Sequence, residues 1–281
     1  PDHIGRGFSV EWQEGEKRKV PLRTTLTQIL TREQIDELSV SEINEIIRNS
    51  LSYNEYEYQK ESGILIKEPF RAEGLHKILY QCPSCRTESK MASKGAEIFC
   101  EECGKRWTLN EDGSLAANSG ETEFDNVPAW FEWERANVIA DVESGKYSFS
   151  DTVDVFSMPR CYNFEKLGKA TLTHDPENGF ILKGHYNGED YVIHRTPLQS
   201  NSLHVEYDWF RIKRDDCIDI STEDDSFYCY FKNKKNVVTK LAFATEALYA
   251  KHMLEKRGFA VHHTCHPELS GAFSDSEKTL N

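Results

Sequence analysis

Four cysteines, arranged as two pairs, have the spacing of metal ligands. Cys82 and Cys85 enclose two residues, as do Cys100 and Cys103, and fourteen residues separate the pairs. A two-residue gap lets one tight turn direct both sulfurs at one ion, and two such turns complete a closed tetrahedron. A redox C-x-x-C pair normally occurs singly beside a βαβ pattern, which this sequence lacks. The spacing therefore predicts one structural Zn²⁺ per chain, with no open position for catalysis.

A second pattern involves a histidine and a carboxylate. His185 and Asp190 have the His-x4-Asp spacing in which the carboxylate orients a histidine that removes a proton from a hydroxyl group. The two residues enclose Asn187-Gly188, a strong signal for a tight turn between strands. Two residues at one spacing often match by chance. We therefore favour an accidental match within a hairpin over a catalytic pair, and we predict no catalytic residue.

Two further groups of side chains are candidates for binding a cation. The tract from His262 to His266 has three histidines and Cys265, and we weigh a second metal site against an ordinary polar tail. We favour the tail, because the tract follows the last predicted helix. The second candidate is a group of acidic residues. The group lacks the regular spacing of a calcium loop, so we interpret its members as turn carboxylates. They are Asp208, Asp215, Asp216, Asp219, Glu223, Asp224 and Asp225.

The charge balance opposes a nucleic-acid partner. Lys and Arg total 34 against 47 Asp and Glu, so the net charge is −13. Nucleic-acid binders need a basic face to displace counterions from phosphates. The basic run Lys17-Arg18-Lys19 is short and is typical of a solvated edge. Around the four cysteines basic and acidic residues nearly balance, so we do not expect this module to bind nucleic acid.

The remaining cysteines and the chain ends indicate the compartment. Cys161, Cys217, Cys229 and Cys265 are scattered, which is typical of free thiols in a reducing compartment. The sequence has no stretch of about 18 apolar residues and no apolar signal segment at its start. The chain begins with Pro1 rather than Met, which suggests a fragment of a longer protein. We expect a cytoplasmic location, with peripheral contact at the inner face of a membrane as an option.

Helical signals precede the cysteine module. Thr31 with Gln34, and Ser39 with Glu42, have the spacing of capping boxes, in which side chains satisfy free backbone N–H groups at a helix start. After the second cap, apolar residues recur at helical spacing from Ile43 to Leu51. Two short helices are therefore predicted before a ribbon of strand, knuckle, strand, knuckle and strand. Residues 114–123 are small and polar, and we interpret them as a linker.

A helix and a run of strands follow the ribbon. Pro128 suits the first turn of a helix that Gly145 ends. Turn signals at residues 175–179 and at Asn187-Gly188 predict hairpins. Strands are also predicted at 203–209, 217–221, 227–231 and 237–243, followed by a helix over about 245–257. The fold class is α+β: a short N-terminal helical segment, a zinc ribbon, then an antiparallel β-domain closed by a C-terminal helix.

These patterns divide the chain into four parts. We predict an N-terminal arm and helical pair over 1–77, the zinc ribbon over 78–113, the helix with its antiparallel β-domain over 121–257, and a flexible tail over 258–281. The boundaries follow the changes in composition and periodicity along the sequence.

Several stretches resemble the long C-terminal extension of some bacterial 1-acyl-sn-glycerol-3-phosphate acyltransferases. The likeness covers about residues 20–255. The stretches that carry it are 38–43 (LSVSEI), 71–75 (RAEGL), 80–85 (YQCPSC), 121–124 (ETEF), 130–134 (WFEWE), 202–209 (SLHVEYDW), 219–222 (DIST) and 227–230 (FYCY). Members of that family place their catalytic His-x4-Asp and a later Glu-Gly motif well before the ribbon, and residues 1–80 supply neither.

The resemblance implies a non-catalytic part of an enzyme. The parent would acylate lysophosphatidate from a thioester donor at the cytoplasmic membrane face. This chain would scaffold or regulate it, or recognise substrate or membrane. Its partners would be the acyltransferase catalytic domain in cis, and the membrane surface or the acyl donor.

Two alternatives stay open at this point. One is a stand-alone zinc-ribbon protein that binds a protein or a nucleic acid. The other is an enzyme with a site in the β-domain, among His185, His194, His204 and Asp208, because alternate positions on strands can share one face.

Overall fold

A computed structural model describes residues 25–161, 163–209, 212 and 214–256. These residues belong to two compact units, 25–64 and 65–256. The predicted N-terminal arm up to residue 24, the run Lys17-Arg18-Lys19 and the tail from residue 257 lie outside the described residues. So does the tract His262–His266.

The first unit contains three short helices. They are α1 (Arg32–Glu37), α2 (Val40–Leu51) and α3 (Glu55–Glu61). Both predicted capping boxes are present, because the side chains of Thr31 and Ser39 accept from the third residue of each helix, whose side chain in turn accepts from the cap backbone. Neither α1 nor α2 has a buried residue. The caps therefore hold the helical pair locally, and Ile47 and Leu51 of its apolar stripe are exposed.

The second unit begins with the ribbon. Four antiparallel strands form one sheet in chain order: β1 (Met91–Lys94), β2 (Glu97–Cys100), β3 (Arg106–Leu109) and β4 (Leu115–Ala117). The first knuckle precedes β1, and the second joins β2 to β3. Ile98 and Trp107 are fully buried and face each other across the β2–β3 pair. This small sheet carries the four cysteines at one end.

The predicted linker at 114–123 is partly wrong. Leu115–Ala117 is strand β4, which pairs with β3 through Leu109 and Leu115. Both leucines are buried, so the sequence continues the ribbon sheet for one more strand. The small residues Ala116 and Ala117 hid this strand, because β-propensity resides mainly in β-branched and aromatic residues.

Seven antiparallel strands form the larger sheet, in the order β8-β7-β6-β5-β11-β10-β9. The strands are β5 (Phe149–Ser157), β6 (Glu165–Asp175), β7 (Gly179–Tyr186), β8 (Glu189–Arg195), β9 (His204–Trp209), β10 (Asp215–Ser221) and β11 (Ser226–Phe231). Two meanders, β5–β8 and β9–β11, meet where β11 pairs with β5. The predicted Asn-Gly turn joins β7 to β8, with Asn187 at φ 51° and Gly188 at φ 86°.

Two long helices complete the unit. Helix α4 (Val127–Glu143) starts at the cap residue Asn126 and ends before Gly145, whose φ is 72°. Helix α5 (Val238–Lys256) follows β11 and contacts α4, β9 and β10. The rings of Phe131 and Phe243 meet edge to face between the helices, with centroids 4.7 Å apart. The predicted α+β class, with a C-terminal helix after the strands, is confirmed.

The strand predicted at 237–243 is wrong, because these residues start α5. The β-branched run Val237-Val238-Thr239 favours a strand by propensity. Buried residues nevertheless recur at Leu241, Ala244 and Leu248, which is the three-to-four-residue period of a helix packed on one face. Packing against the sheet thus overrides local propensity here.

Candidate metal centre

The structure brings the four predicted cysteine ligands together. Their sulfur atoms all lie within 4.8 Å of one another. The distance is 3.7 Å from Cys82 Sγ to Cys103 Sγ and also 3.7 Å from Cys85 Sγ to Cys100 Sγ. A regular tetrahedron with metal–sulfur bonds of about 2.3 Å has edges of about 3.8 Å. The cluster therefore can hold one four-coordinate metal ion.

Each pair of ligands sits on the same kind of turn. The N–H of Arg86 donates to the carbonyl of Cys82 at 2.9 Å, and the N–H of Gly104 donates to the carbonyl of Cys100 at 2.9 Å. Both donors have left-handed backbones, with φ 65° at Arg86 and 75° at Gly104. A left-handed backbone is common for glycine, whereas the residue type gives no sign of it at Arg86.

The thiols differ in how readily they ionise. At Cys85 burial pushes the pKa up, but hydrogen bonds involving the side chain and backbone of Thr87 outweigh it and bring the pKa to about 7. At Cys82 and Cys100 burial raises the pKa above the ordinary value. A thiolate is the form of cysteine that ligates a metal. Closely spaced buried thiols with raised pKa values ionise when a cation offsets the charge.

Helix α4 holds the residue before the first ligand from three directions. Glu134 Oε1 accepts from the N–H of Gln81 at 2.7 Å, and Trp130 Nε1 donates to the carbonyl of Gln81 at 3.0 Å. Asn137 Nδ2 donates to Oε1 of the Gln81 side chain at 2.8 Å. The three helix residues are four and three positions apart, so they share one face of α4. The backbone that leads into Cys82 is therefore fixed by the neighbouring domain.

Glu134 is fully buried, and burial raises its pKa well above the usual value for a carboxyl group. Its Oε2 atom has no hydrogen-bond partner among the described residues. Burial of an unpaired charge is costly, so this environment favours the neutral form of the carboxyl group. Glu134 thus serves as a buried hydrogen-bond acceptor for the ribbon.

The second half of the ribbon is held in a similar way. The ring of Trp107 lies edge to face on that of Trp130, with centroids 5.0 Å apart. Trp107 Nε1 donates to Glu123 Oε2 at 3.0 Å, and Lys105 Nζ lies 2.5 Å from Glu123 Oε1. The segment between the ribbon and α4 therefore returns across the sheet and closes it against the helix.

A largely buried ion pair ties the start of the ribbon to the β-domain. Lys77 Nζ lies 2.6 Å from Asp208 Oδ1 and 2.7 Å from Asp216 Oδ1. The side chains of Lys77 and Asp216 are 13% and 12% exposed, so the charges are mostly withdrawn from water. Thr239 Oγ1 of α5 donates to the carbonyl of Lys77 at 2.9 Å. Together with the α4 contacts, this pairing joins ribbon and β-domain into one packed body.

Three basic side chains beside the cysteines contact other protein groups. Arg86 lies over the ring of Trp133, with its Cζ atom 4.7 Å from the centroid. Arg106 pairs with Glu97 at 2.7 Å, and Lys105 pairs with Glu123. Phosphate contacts would have to compete with these pairings.

The His-x4-Asp pair forms a hydrogen bond on the open surface. His185 Nδ1 lies 2.7 Å from Asp190 Oδ1, across the tight turn that joins β7 to β8. The two side chains are 61% and 89% exposed, at the rim of a wide depression on the sheet. A general base acts in a site that positions the acceptor and limits water. This geometry favours the interpretation of an accidental match in a hairpin.

The other histidines considered for an active site do not converge with this pair. His194 Nε2 lies 2.7 Å from the carbonyl oxygen of Asn178. His204 is on β9, at the opposite edge of the sheet from β8, and its Nδ1 lies 3.6 Å from Asp219 Oδ2. A hydrogen bond to Asp219 raises the pKa of His204. Asp208 is committed to Lys77. The alternative of a catalytic group built from these four residues has no geometric support.

Two of the scattered cysteines are buried in the β-domain, as expected. Cys217 and Cys229 are inaccessible to solvent, and burial raises the pKa of Cys217 to about 12. The pKa of Cys229 is raised by burial as well. Thiols with raised pKa values are unreactive. The side chain of Cys161 and the whole of Cys265 lie outside the described residues.

Glu134 and Lys77 were missed as candidates in the sequence, and the role of Asp216 was not recognised. Their partners lie 53 positions away for Glu134 and 139 for the Lys77–Asp216 pair. Interpreting Asp208 and Asp216 as turn carboxylates overlooked this pairing. No local pattern carries such information, since the contacts arise from packing of separate elements.

Within the described ranges, no helix combines the length and apolar character needed to cross a bilayer. No protein-family model, no curated protein and no solved structure matches the chain.

Proposed function

We propose that this chain is a non-catalytic C-terminal region of a phospholipid/glycerol acyltransferase that acylates lysophosphatidate. The sequence stretches that resemble the extension of that family support the assignment. The observation that carries the non-catalytic part is the cluster Cys82, Cys85, Cys100 and Cys103, in which four protein sulfurs lie at the corners of one tetrahedron. A closed tetrathiolate leaves no position for substrate.

Zinc is the metal that we assign to this cluster. Tetrahedral sites with four thiolates and C-x2-C spacing suit Zn²⁺, and one ion per chain satisfies all four ligands. The ion would be structural. It would hold the two cysteine turns. Gln81 and Trp107, which lie close to these turns in the sequence, contact α4. The role of the ion would therefore be to present the ribbon to the β-domain in one fixed orientation.

The helical unit supports a contact with the catalytic domain in cis. Ile35, Val40 and Leu51 are 50%, 52% and 70% exposed, although apolar. Apolar side chains left exposed on a folded unit are available for a protein contact. In the parent enzyme this unit would lie between the catalytic domain and the ribbon, at the cytoplasmic side of the membrane. The membrane surface and the acyl donor are the further partners that we propose for the region.

Parentage is tested by the coding sequence upstream of Pro1. We expect an in-frame segment that encodes an acyltransferase domain with its own His-x4-Asp motif. An initiation codon directly before Pro1 would contradict the proposal. The biochemical counterpart is an assay with lysophosphatidate and an acyl thioester. The isolated chain should transfer no acyl group, and measurable transfer that Asp190→Asn abolishes would show that the hairpin pair is catalytic after all.

Metal analysis of the purified chain tests the zinc assignment. We expect about one zinc per chain, and a loss of zinc in Cys100→Ser. Cys229→Ser is the matched control, since this buried cysteine lies outside the cluster. Iron in place of zinc, or substoichiometric metal that Cys100→Ser leaves unchanged, would refute the assignment.

The stand-alone ribbon protein is the less favoured function. The pairing of Arg86, Lys105 and Arg106 with protein groups weakens its nucleic-acid form. Binding to mixed DNA or RNA at low salt measures it directly, and we expect none.

A further inference from the structure

A cavity between the ribbon and the β-domain is lined by basic side chains. Its volume is about 350 Å³, within the range of small-molecule sites. Lys77 comes from the segment before the first knuckle, and Lys232, Lys234 and Lys235 come from the turn between β11 and α5. Asp215 and Asp216 of β10 are the acidic residues of the lining. In a chain with a net charge of −13, four lysines around one cavity form a local reversal of charge.

Two of the four lysines are neutralised by the protein itself. Lys77 pairs with Asp208 and Asp216, and Lys232 lies 2.8 Å from Asp154 Oδ2. Lys234 contacts the ring of Phe149, with Nζ 5.1 Å from the centroid. Among the described residues neither Lys234 nor Lys235 has a carboxylate within ion-pair distance. Within the described residues, two of the four lysines at the cavity are therefore outside any ion pair.

The basic turn is rigidly built. Asp151 accepts from the N–H of Asn233 at 3.2 Å, from its Nδ2 at 2.8 Å and from the N–H of Lys234 at 3.1 Å. Asn236, with φ 51°, donates through Nδ2 to the carbonyl of Met91 in the ribbon at 3.2 Å. These bonds fix the backbone that carries Lys234 and Lys235. The two lysines are presented from a set position, so less backbone entropy is lost when an anion binds.

The first residues of a long helix also line this cavity. Val237 and Val238 belong to its lining, and Val238 is the first residue of the 19-residue helix α5. The N-terminal end of a helix carries partial positive charge, which adds to the field of the lysines. Lysine and helix N-termini are both common phosphate ligands in proteins. The chemistry of the cavity therefore fits an anionic phosphate group better than a neutral ligand.

We infer that this cavity binds a phosphate-bearing ligand, with Lys234 and Lys235 holding the phosphate group. The volume leaves room for the organic part of a phosphate ester beside it. The ligand is either a soluble phosphate ester or the phosphate headgroup of a lipid, since both offer the same group to the lysines. The inference rests on the cavity alone and goes beyond the proposed function, so either can fail without the other.

Titration calorimetry of the zinc-loaded, full-length chain tests the site. The probes are inorganic phosphate, glycerol phosphate, and vesicles of phosphatidylglycerol, with phosphatidylcholine vesicles as the uncharged comparison. We expect saturable binding of glycerol phosphate or of the anionic vesicles. The double variant Lys234→Gln/Lys235→Gln should weaken that binding about tenfold or more, since each lysine near an anionic group contributes on the order of a fivefold factor.

The matched control is Lys146→Gln/Lys166→Gln, which removes the same charge at two exposed lysines outside the cavity. Its affinity should stay within about twofold of the parent chain, because screened charges at a distance contribute little. Thermal unfolding of both variants checks that they fold. Binding of glycerol phosphate identifies a soluble ester as the source, and binding of anionic vesicles alone identifies a lipid headgroup. No saturable binding of any probe, or equal weakening in both double variants, would overturn the inference.

Discussion

Glu134 supports the candidate metal centre without belonging to the cysteine cluster. It accepts from the N–H of Gln81, next to the ligand Cys82, and is fully buried. A charged carboxylate there would have lost its water without gaining a cation, so the neutral form is the stable one. Burial thus favours the protonated form of Glu134 as the acceptor for the N–H of Gln81.

Replacing Glu134 by Gln should therefore be tolerated. Gln keeps an acceptor oxygen for Gln81 and adds no charge. The pKa of Glu134 is raised by folding, so its contribution to stability is complete below the unfolded pKa and is lost as pH rises above it, by up to about 1.4 kcal/mol per pH unit. In denaturant unfolding, Glu134→Gln should be at least as stable as the parent chain at pH 8, and the pH dependence should flatten.

Glu134→Ala provides the contrast. It removes the acceptor and leaves a cavity, at a cost of about 3 kcal/mol in the free energy of unfolding. Equal losses of stability in the Gln and Ala variants at every pH would contradict the role of Glu134 as a neutral hydrogen-bond acceptor.

The backbone of the second knuckle makes a separate prediction at this scale. Gly104 has φ 75°, and a Cβ added there would meet no atom within 4 Å. The whole cost of Gly104→Ala is therefore backbone strain, about 1 kcal/mol in the free energy of unfolding. Asn tolerates the left-handed region better than Ala, so Gly104→Asn should cost less stability than Gly104→Ala. Thermal unfolding of both variants and the parent chain measures the difference. Equal stability of the Ala variant and the parent chain would contradict the left-handed turn.

At the scale of elements, the contact between ribbon and sheet depends on an ion pair. Lys77 leads into the first knuckle, while Asp208 and Asp216 lie on β9 and β10. Burial acts to lower the pKa of Lys77, but the two carboxylates outweigh it and raise the pKa. The lysine therefore stays charged in the packed interface and holds the strands to the ribbon.

Lys77→Met should reduce the free energy of unfolding by about 2–3 kcal/mol. Removal of one partner leaves Asp216 buried and uncompensated, which is costlier than loss of the pair as a whole. The double variant Lys77→Met/Asp216→Asn should recover part of the loss, because Asn can still accept from the N–H of Asp208. Urea unfolding monitored by circular dichroism measures both.

The exposed pair Arg106–Glu97 is the comparison. Arg106→Met should cost about 1 kcal/mol or less, as exposed ion pairs contribute little. A Lys77 variant that is no less stable than this control would show that the buried pair does not hold the interface.

At the scale of the whole molecule, the metal, the ribbon and the β-domain should respond together. The described contacts join the cluster to α4 through Gln81 and Trp107, and join the ribbon to the sheet through Lys77. The unit over 65–256 also has its own large sheet and buried helices. Loss of the metal should therefore weaken the unit without unfolding all of it.

Chelation should lower the unfolding midpoint of the zinc-loaded chain by roughly 10 °C, which corresponds to a few kcal/mol for a unit of this size. Tryptophan emission should shift to longer wavelength at the same time, because Trp107 and Trp130 are both fully buried where ribbon and α4 meet. Readdition of zinc should reverse both changes. A midpoint that chelation leaves unchanged would mean that the cluster does not contribute to folding.

The sequence by itself determined the candidate metal ligands, the helix caps and the hairpin turns. Cys82, Cys85, Cys100 and Cys103 are set by two short turns, and the capping boxes at Thr31 and Ser39 by hydrogen bonds within four residues. Such features depend on neighbours along the chain, so spacing and residue type suffice to predict them. The α+β class followed in the same way from local periodicity.

Only the tertiary structure decided which contacts join the ribbon to the rest of its unit. The neutral acid at Glu134, the buried pairing of Lys77 with Asp216 and the cavity around Lys234 and Lys235 all join residues from different elements. Strand β4 and the start of α5 were likewise decided by packing against the rest of the unit, against the local propensity of their residues. The physical reason is burial: desolvation and long-range pairing act on groups that are distant in the chain, and no local pattern records them.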